Sequence, residues 1–423
     1  MPDYHLKYGH DQLTVQIEQA VSLELPQALL TDPVQLIERA LDNPIGTEPL
    51  DHIVKPGENV VIITSDITRY TGSEVYLPIL VDRLNAAGVP DRAIEIVIAL
   101  GIHRKQTEAE HRLILGPLYE RIKVSDHDCD DPAGLVDLGV TSSGLPVQVN
   151  RRVAAADRII VTGTVGLHYF AGFGGGRKSL VPGIASRETC MATHFTIFNS
   201  PETGGKHPAA KPANLEGNPV HEAILEAARI LKPDFLFNTV LTPDKKIVAA
   251  YSGELDAAHL AACATARELY TLELASGADL AVVSCGGHPK DINFIQSHKA
   301  LDYGVRALNP GGTIILLAEC PDGFGNPTFF DWFRHRDLGE FETALREKYE
   351  INGQTAHATL EKAQNFRIIL ISRFSREETE MMGMEKAETL DVALAMAYEK
   401  LPPDVDVVVI PDGGTVLPVI KLN

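Results

Sequence analysis

Apolar positions along the chain follow two rhythms. Leu13-Thr14-Val15-Gln16-Ile17 alternates apolar and polar residues with period two, as a half-buried strand does. Val60–Thr64 is a nearly unbroken apolar run behind Pro56-Gly57, and predicts a strand covered on both faces. Glu74–Ala87 then carries apolar residues at helical spacing and stops at Gly88-Val89-Pro90. Ala93–Leu100, Arg158–Thr162 and Phe235–Val240 predict further buried strands. This succession of strand, helix and strand predicts an α/β protein with a largely parallel sheet.

A second α/β pattern begins after Ala275-Ser276-Gly277-Ala278. Leu280–Ser284, Thr313–Ala318, Phe366–Ile371 and Val405–Ile410 predict strands. Phe294–Leu308, Phe341–Tyr349 and Leu390–Leu401 predict the helices between them, the first ending at Asn309-Pro310-Gly311-Gly312. With 423 residues, two domains are expected. Residues 1–274 form one and 275–410 a Rossmann-like second, with the tail 411–423 packing back on the first. The two α/β domains, each with a largely parallel sheet, are expected to face each other across a cleft, the usual place for a small-ligand site.

Composition narrows the function classes. Lys and Arg number 38 against 57 Asp and Glu, a net charge of −19. So acidic a surface repels phosphate backbones and anionic lipid, which argues against nucleic-acid or membrane partners. A small anionic substrate is still compatible, because a few basic side chains make a local positive site. The longest apolar runs, such as Ile159–Val161 and Val407–Ile410, fall far short of the ~20 residues of a membrane span. No basic-then-apolar leader opens the sequence, and the five cysteines show no CxxC pair. Together these predict a cytoplasmic protein with reduced thiols.

Four segments at expected strand ends and helix starts carry candidate chemistry. Asp66-Ile67-Thr68-Arg69 follows the strand Val60–Thr64, and suits an anion through the Arg69 fork as readily as it suits a helix cap. Gly101-Ile102-His103-Arg104 places a histidine just past another strand, fit for acid–base work. Gly166–Ser179 holds five glycines, His168 and the pair Arg177-Lys178. Glycines let backbone N–H groups approach a ligand, and the basic pair adds positive charge. It is not a Walker A loop, because Arg177 stands where the glycine before the lysine belongs. Gln296-Ser297-His298-Lys299 lies on a predicted helix, so Gln296 and Lys299 share a face able to meet a carboxylate. Two weaker candidates are Asp126–Asp131, which reads as a solvated acidic loop, and Met381, Met382 and Met384, which read as packing.

Taken together, these segments resemble the nickel-dependent lactate racemase family across both expected domains. The shared pattern comprises D-x-T-R at Asp66–Arg69, G-x-H-R at Gly101–Arg104, and the histidine-to-lysine loop His168–Lys178 with its following P-G-x-A ending at Ala185. It continues with His194, with Leu215-Glu216-Gly217-Asn218-Pro219 and with Gln296–Lys299. The resemblance implies a nickel-pincer nucleotide, a pyridinium-3,5-bisthiocarboxylic acid mononucleotide, covalently attached to Lys178, with His194 as the protein ligand to nickel. It implies that Asp66, Ile67, Thr68 and Arg69 hold this cofactor, that His103 and His168 are the acid–base pair, and that Gln296 and Lys299 bind the substrate carboxylate. Cofactor-synthesis proteins are the implied partners. The implied activity is racemisation or epimerisation of a small 2-hydroxy acid by hydride transfer through a 2-keto intermediate. A redox enzyme that releases the keto acid, or a non-enzymatic nickel or cofactor carrier, are the alternatives.

The chemistry of a 2-hydroxy acid agrees with that implication. Its α-C–H is a poor acid because a carboxylate is already attached, and loss of hydride avoids a second negative charge there. Return of hydride to either face of the keto acid then calls for two bases on two sides. This chain departs from the pattern at Gly174, where serine is expected, at Tyr70, where proline is, and at Ile295, where an aromatic is. Its single tryptophan is Trp332, with none in Ala356–Gln364. These departures concern the substrate's side chain rather than the cofactor.

Overall fold

A computed structural model describes residues 2–26, 30–402 and 404–421. The chain divides into two compact units. One comprises Gln27–Asn199 and Lys206–Glu268; the other comprises Met1–Pro26, Ser200–Gly205 and Leu269–Asn423.

In the first unit a six-stranded sheet runs, in spatial order, Ile247–Gly253, Phe235–Leu241, Arg158–Thr164, Val60–Ser65, Ile94–Ala99 and Lys123–Asp126. Only Ile247–Gly253 is antiparallel to its neighbour. Ile62 sits opposite Ile96 on one side and Ile160 on the other, and all three are wholly buried. Burial on both faces is why these strands read as unbroken apolar runs. Helix Ser73–Ala86 covers the sheet with Tyr76, Leu77, Leu80, Val81 and Leu84, a single helical stripe inside the core. Because the strands Val60–Ser65, Ile94–Ala99 and Arg158–Thr164 are parallel, the loops that follow them leave the same edge of the sheet. The strands Lys123–Asp126 and Ile247–Gly253 escaped the pattern because they are edge strands with mixed, half-buried positions.

The second unit has a six-stranded parallel sheet ordered Glu385–Lys386, Arg367–Ile371, Leu308–Leu317, Ala278–Ser284, Val407–Ile410 and Val21–Ser22. The first 26 residues belong here, not with the segment they precede. The hairpin Asp3–Tyr8/Asp11–Gln16 sends Tyr4, Leu6, Val15 and, just beyond it, Ile17 into one core with Leu280, Val282, Ile315 and Val409. Alternation shows that such a strand has an apolar face; it carries no information on which sheet receives it. In the tail, Leu417–Ile420 pairs in parallel with Thr271–Leu274, the end of the expected first domain, and both strands lie in this unit. Its last two residues lie outside the described ones.

The expected helix Phe294–Leu308 ends at Gly304. The strand that follows begins at Leu308 and runs through Asn309-Pro310-Gly311-Gly312, with an irregular register opposite Ala278–Leu280. Helix Ile351–Asn365 was not visible in the pattern, because Gln354, Thr355, His357 and Thr359 are buried polar residues that interrupt any apolar stripe. Among the described residues no helix is long and apolar enough to cross a membrane, and the five cysteines are free and buried.

Candidate active site

Three loops at the carboxyl edge of the first unit's sheet carry the chemistry. The roots of two of them, those following Val60–Ser65 and Arg158–Thr164, are pinned together by one hydroxyl. Tyr76 Oη lies 3.1 Å from Thr64 Oγ1, 2.9 Å from Thr71 Oγ1 and 3.0 Å from Thr162 Oγ1, all buried.

Asp66, at the end of strand Val60–Ser65, is 1% exposed. Its Oδ1 accepts from the Thr68 backbone N–H at 2.8 Å and the Thr68 hydroxyl at 2.5 Å. Its Oδ2 lies 2.7 Å from His103 Nδ1 and 3.4 Å from Arg69 Nη1. Burial by itself would raise the Asp66 carboxyl; the His103 hydrogen bond, the Arg69 charge and the Thr68 hydroxyl outweigh it and hold it below its ordinary value. An ionised carboxylate only accepts, so the 2.7 Å contact to Asp66, shorter than the 3.3 Å from Nδ1 to the Arg69 Nη1 donor, puts the proton on His103 Nδ1 and presents the Nε2 lone pair outward. Asp66 and His103 are thus paired, a contact that D-x-T-R and G-x-H-R, lying apart in sequence, do not reveal. Arg69, with its side chain 61% exposed, keeps guanidinium donors for an anion.

His168 comes from a two-residue strand, Leu167–His168, paired with Gly172–Phe173. The backbone N–H of Ala171 donates to His168 Nδ1 at 3.2 Å. Nδ1 is therefore an acceptor, and in the neutral ring the proton sits on Nε2. The two histidines are set in opposite tautomers by their local partners.

Glycines in the intervening loop are required where the chain presses on its neighbours. At Gly172, with φ +76°, a Cβ would fall 2.1 Å from the carbonyl oxygen of Asn214. At Gly175, with φ +112°, it would fall 2.8 Å from His259 and Val165. Gly174 has no such neighbour within 3.6 Å, so the glycine at this position is not sterically demanded. Asn218 of the Leu215–Pro219 motif clamps the loop, donating to the carbonyls of Phe170 and Asn214, each at 2.9 Å, while capping helix Pro219–Ile230.

Phe170 stands between Lys178 and His194. Lys178 Nζ lies 5.8 Å from its ring centroid and the His194 ring meets it edge-on at 5.4 Å. His194, on helix Arg187–Phe195, is buried, and its Nδ1 lies 2.8 Å from the carbonyl oxygen of Cys190. A carbonyl only accepts, so Nδ1 carries the proton and Nε2 keeps its lone pair. Burial, with the charges of Lys178 and Arg69 nearby, pushes the His194 pKa down to about 3. A neutral imidazole with a carbonyl on one nitrogen and a lone pair on the other is the form that ligates metal. No group of three or more His, Cys, Asp or Glu side chains able to hold a metal occurs among the described residues.

Arg177, expected to add charge to this loop's anion cradle, is instead fully buried against His221 and His259. Gln296 and Lys299 lie in the second unit, on helix Phe294–Gly304. Both are exposed on one face, with Lys299 Nζ donating to Gln296 Oε1 at 3.1 Å. The acidic stretch Asp126–Asp131 is dispersed: Asp126 meets His111, Asp128 meets Lys105 and Asp130 meets Arg187. Met382 and Met384 are core.

Such a two-unit α/β chain, with histidines displayed beside a glycine-rich lysine loop, belongs among the isomerases. Residues 8–205 match the lactate racemase N-terminal domain and residues 274–418 the lactate racemase C-terminal domain. The chain is 34% identical over 389 residues to a lactate racemase of Thermoanaerobacterium thermosaccharolyticum, covering 90% of this chain and 89% of that one. It is 35% identical over 387 residues to a lactate racemase of Lactiplantibacillus plantarum, with the same coverage of 90% and 89%. The structure of the lactate racemase apoprotein from T. thermosaccharolyticum superposes with a TM-score of 0.89 at 31% identity, covering all of both chains. A Thermotoga maritima protein shares the fold, with a TM-score of 0.66 at 20% identity over 93% of this chain and all of that one. The chain belongs to the lactate racemase family.

Proposed function

We propose that the protein racemises lactate or a closely related small 2-hydroxy acid, with a nickel-pincer nucleotide joined to Lys178 and its nickel on His194. When bound, that group supplies an electron-poor hydride acceptor, so that the substrate passes through the 2-keto acid. The chain's own residues handle the protons and the anions. His103 takes the substrate hydroxyl proton at Nε2, and Asp66 stabilises the imidazolium that results. His168 turns Nε2 toward the substrate oxygen and, when protonated to the imidazolium, returns the proton there, the roles exchanging in the reverse direction. Arg69 holds the cofactor's anionic end, with Ile67 and Thr68 shaping the turn, and Gln296 and Lys299 bind the substrate carboxylate. The observation that carries this reading is the pair of histidines fixed in opposite tautomers, since a carrier protein needs no such pair.

The test uses 2-deuterated substrate in ordinary water, with the chain co-expressed with the cofactor-synthesis proteins. The inverted product, separated by chiral chromatography, is expected to keep its deuterium. Loss of deuterium to solvent in step with inversion overturns the hydride route, and accumulation of free keto acid overturns racemisation.

A further inference from the structure

Among the described residues Arg177 is the largest fully buried side chain, and its environment is unusual for a cation. Its Nε donates to His221 Nδ1 at 3.1 Å, and its Nη1 lies 2.9 Å from His259 Nε2. Nη1 and Nη2 also reach the carbonyl of Phe173, at 3.5 and 3.4 Å, and Nη1 that of Gly174 at 3.3 Å. Among the described residues no carboxylate is close enough to pair with it; Asp256, whose field reaches it, is itself paired with Arg229. A guanidinium has no acceptor atoms, so His221 faces it with a lone pair on Nδ1, while His259 Nε2 is shared between Nη1 at 2.9 Å and the Gly174 carbonyl oxygen at 2.8 Å.

Desolvating an unpaired cation is costly, and a core that needed only filling would take Met or Leu here at lower cost. What the guanidinium offers that an apolar side chain does not is a planar fork of donors in fixed directions. One arm holds the glycine-rich loop through Phe173 and Gly174. Nε holds helix Pro219–Ile230 through His221, and the Nη1 that reaches Gly174 also meets the helix beginning at Leu255 through His259. The loop presses back on His259 at Gly175, where a side chain would not fit. Arg177 also opens the short helix Arg177–Leu180, whose second residue is Lys178.

We infer that Arg177 is the positioning residue of this loop: its buried guanidinium, gripped by His221, His259 and two loop carbonyls, fixes the turn that carries Lys178 and so the place of the lysine amine. The inference rests on the proposed role of Lys178 for its consequence in catalysis, but the geometry it asserts is testable without cofactor.

The test compares Arg177→Ala and Arg177→Lys with the native chain. Lys178 modification by trinitrobenzenesulfonate is followed against pH in the cofactor-free protein, by peptide mass spectrometry. Covalent adduct after co-expression with the cofactor-synthesis proteins, and turnover, are measured alongside. Both variants are expected to shift the Lys178 profile and to lose on the order of 10²-fold in turnover, the usual consequence of misplacing a reacting group by ~1 Å. Methylguanidinium is expected to restore part of the Arg177→Ala loss, and methylammonium none of it. An Arg177→Ala protein whose Lys178 profile matches the native one and whose turnover is within about threefold of it overturns the inference. Should Arg177→Ala not fold, His259→Ala and His259→Gln decide. The alanine removes the ring that meets both Arg177 and the Gly174 carbonyl and is expected to shift the Lys178 profile, whereas the glutamine keeps an amide with both an acceptor and a donor and is expected to leave it. A His259→Ala profile identical to the native one overturns the inference. A native chain that never gains an adduct on Lys178 overturns the proposed function instead, and leaves the profile comparison intact.

Discussion

Asp66→Asn is the most discriminating change at the site. The native carboxylate is buried and uses one oxygen on the Thr68 N–H and hydroxyl and the other on His103 at 2.7 Å. An asparagine must still satisfy Thr68 with its oxygen, which turns its NH₂ toward His103. Two donors cannot face each other, so His103 moves its proton from Nδ1 to Nε2 and loses the lone pair it would use as a base. The charge-assisted bond is worth about 1.5–3 kcal/mol, and the variant should lose that order of unfolding free energy. The catalytic loss should be larger, about 10²–10⁴-fold in kcat, because the base itself is removed. Intact mass should show the adduct on Lys178 unchanged, since Asp66 does not touch that loop's lysine. Racemisation in both directions by chiral chromatography, beside urea unfolding, checks the pair of numbers. An Asp66→Asn enzyme within about threefold of the native kcat refutes the orienting role.

Lys178→Ala should abolish covalent adduct and activity with the fold retained, while His194→Ala should keep the adduct and lose nickel, as read by intact mass and metal analysis. Gly172→Ala should cost about 1–3 kcal/mol by urea unfolding, because its Cβ meets a backbone carbonyl that cannot give way. Burial, then the charges of Arg177 and Arg229, push the His221 pKa down to about 4; burial, then Arg177, hold His259 well below its ordinary value as well. Folded values below the unfolded value of ~6.5 mean that the unfolded chain protonates first. The stability from this source is complete above that pH and falls as the pH drops toward 4, by about 3 kcal/mol for His221. Melting temperature against pH should show the slope, and the double variant His221→Gln/His259→Gln should flatten it.

Local pattern and tertiary structure divided the work along physical lines. The strands Val60–Ser65, Ile94–Ala99, Arg158–Thr164 and Phe235–Leu241 were legible because sheet burial on both faces demands apolar runs of that length. The loops bearing Asp66, His103, His168 and Lys178 were legible because reactive residues and glycines stand directly past those strands. Nothing local, however, tells a strand such as Leu13–Ile17 which sheet will accept its apolar face, so only the folded chain shows that it joins the core of Leu280, Val282 and Ile315. Residue type likewise does not say where a side chain points. Arg177 and Lys178 are adjacent and both basic, yet one is fully buried between two histidines and the other is left partly accessible beside Phe170. The tautomers of His103, His168 and His194 depend on Asp66, Ala171 and Cys190 respectively. The sequence determines that these histidines exist at loop and helix positions. Only the folded chain decides which nitrogen holds the proton, because a hydrogen bond across a few ångströms is settled by neighbours that include a residue 37 positions away.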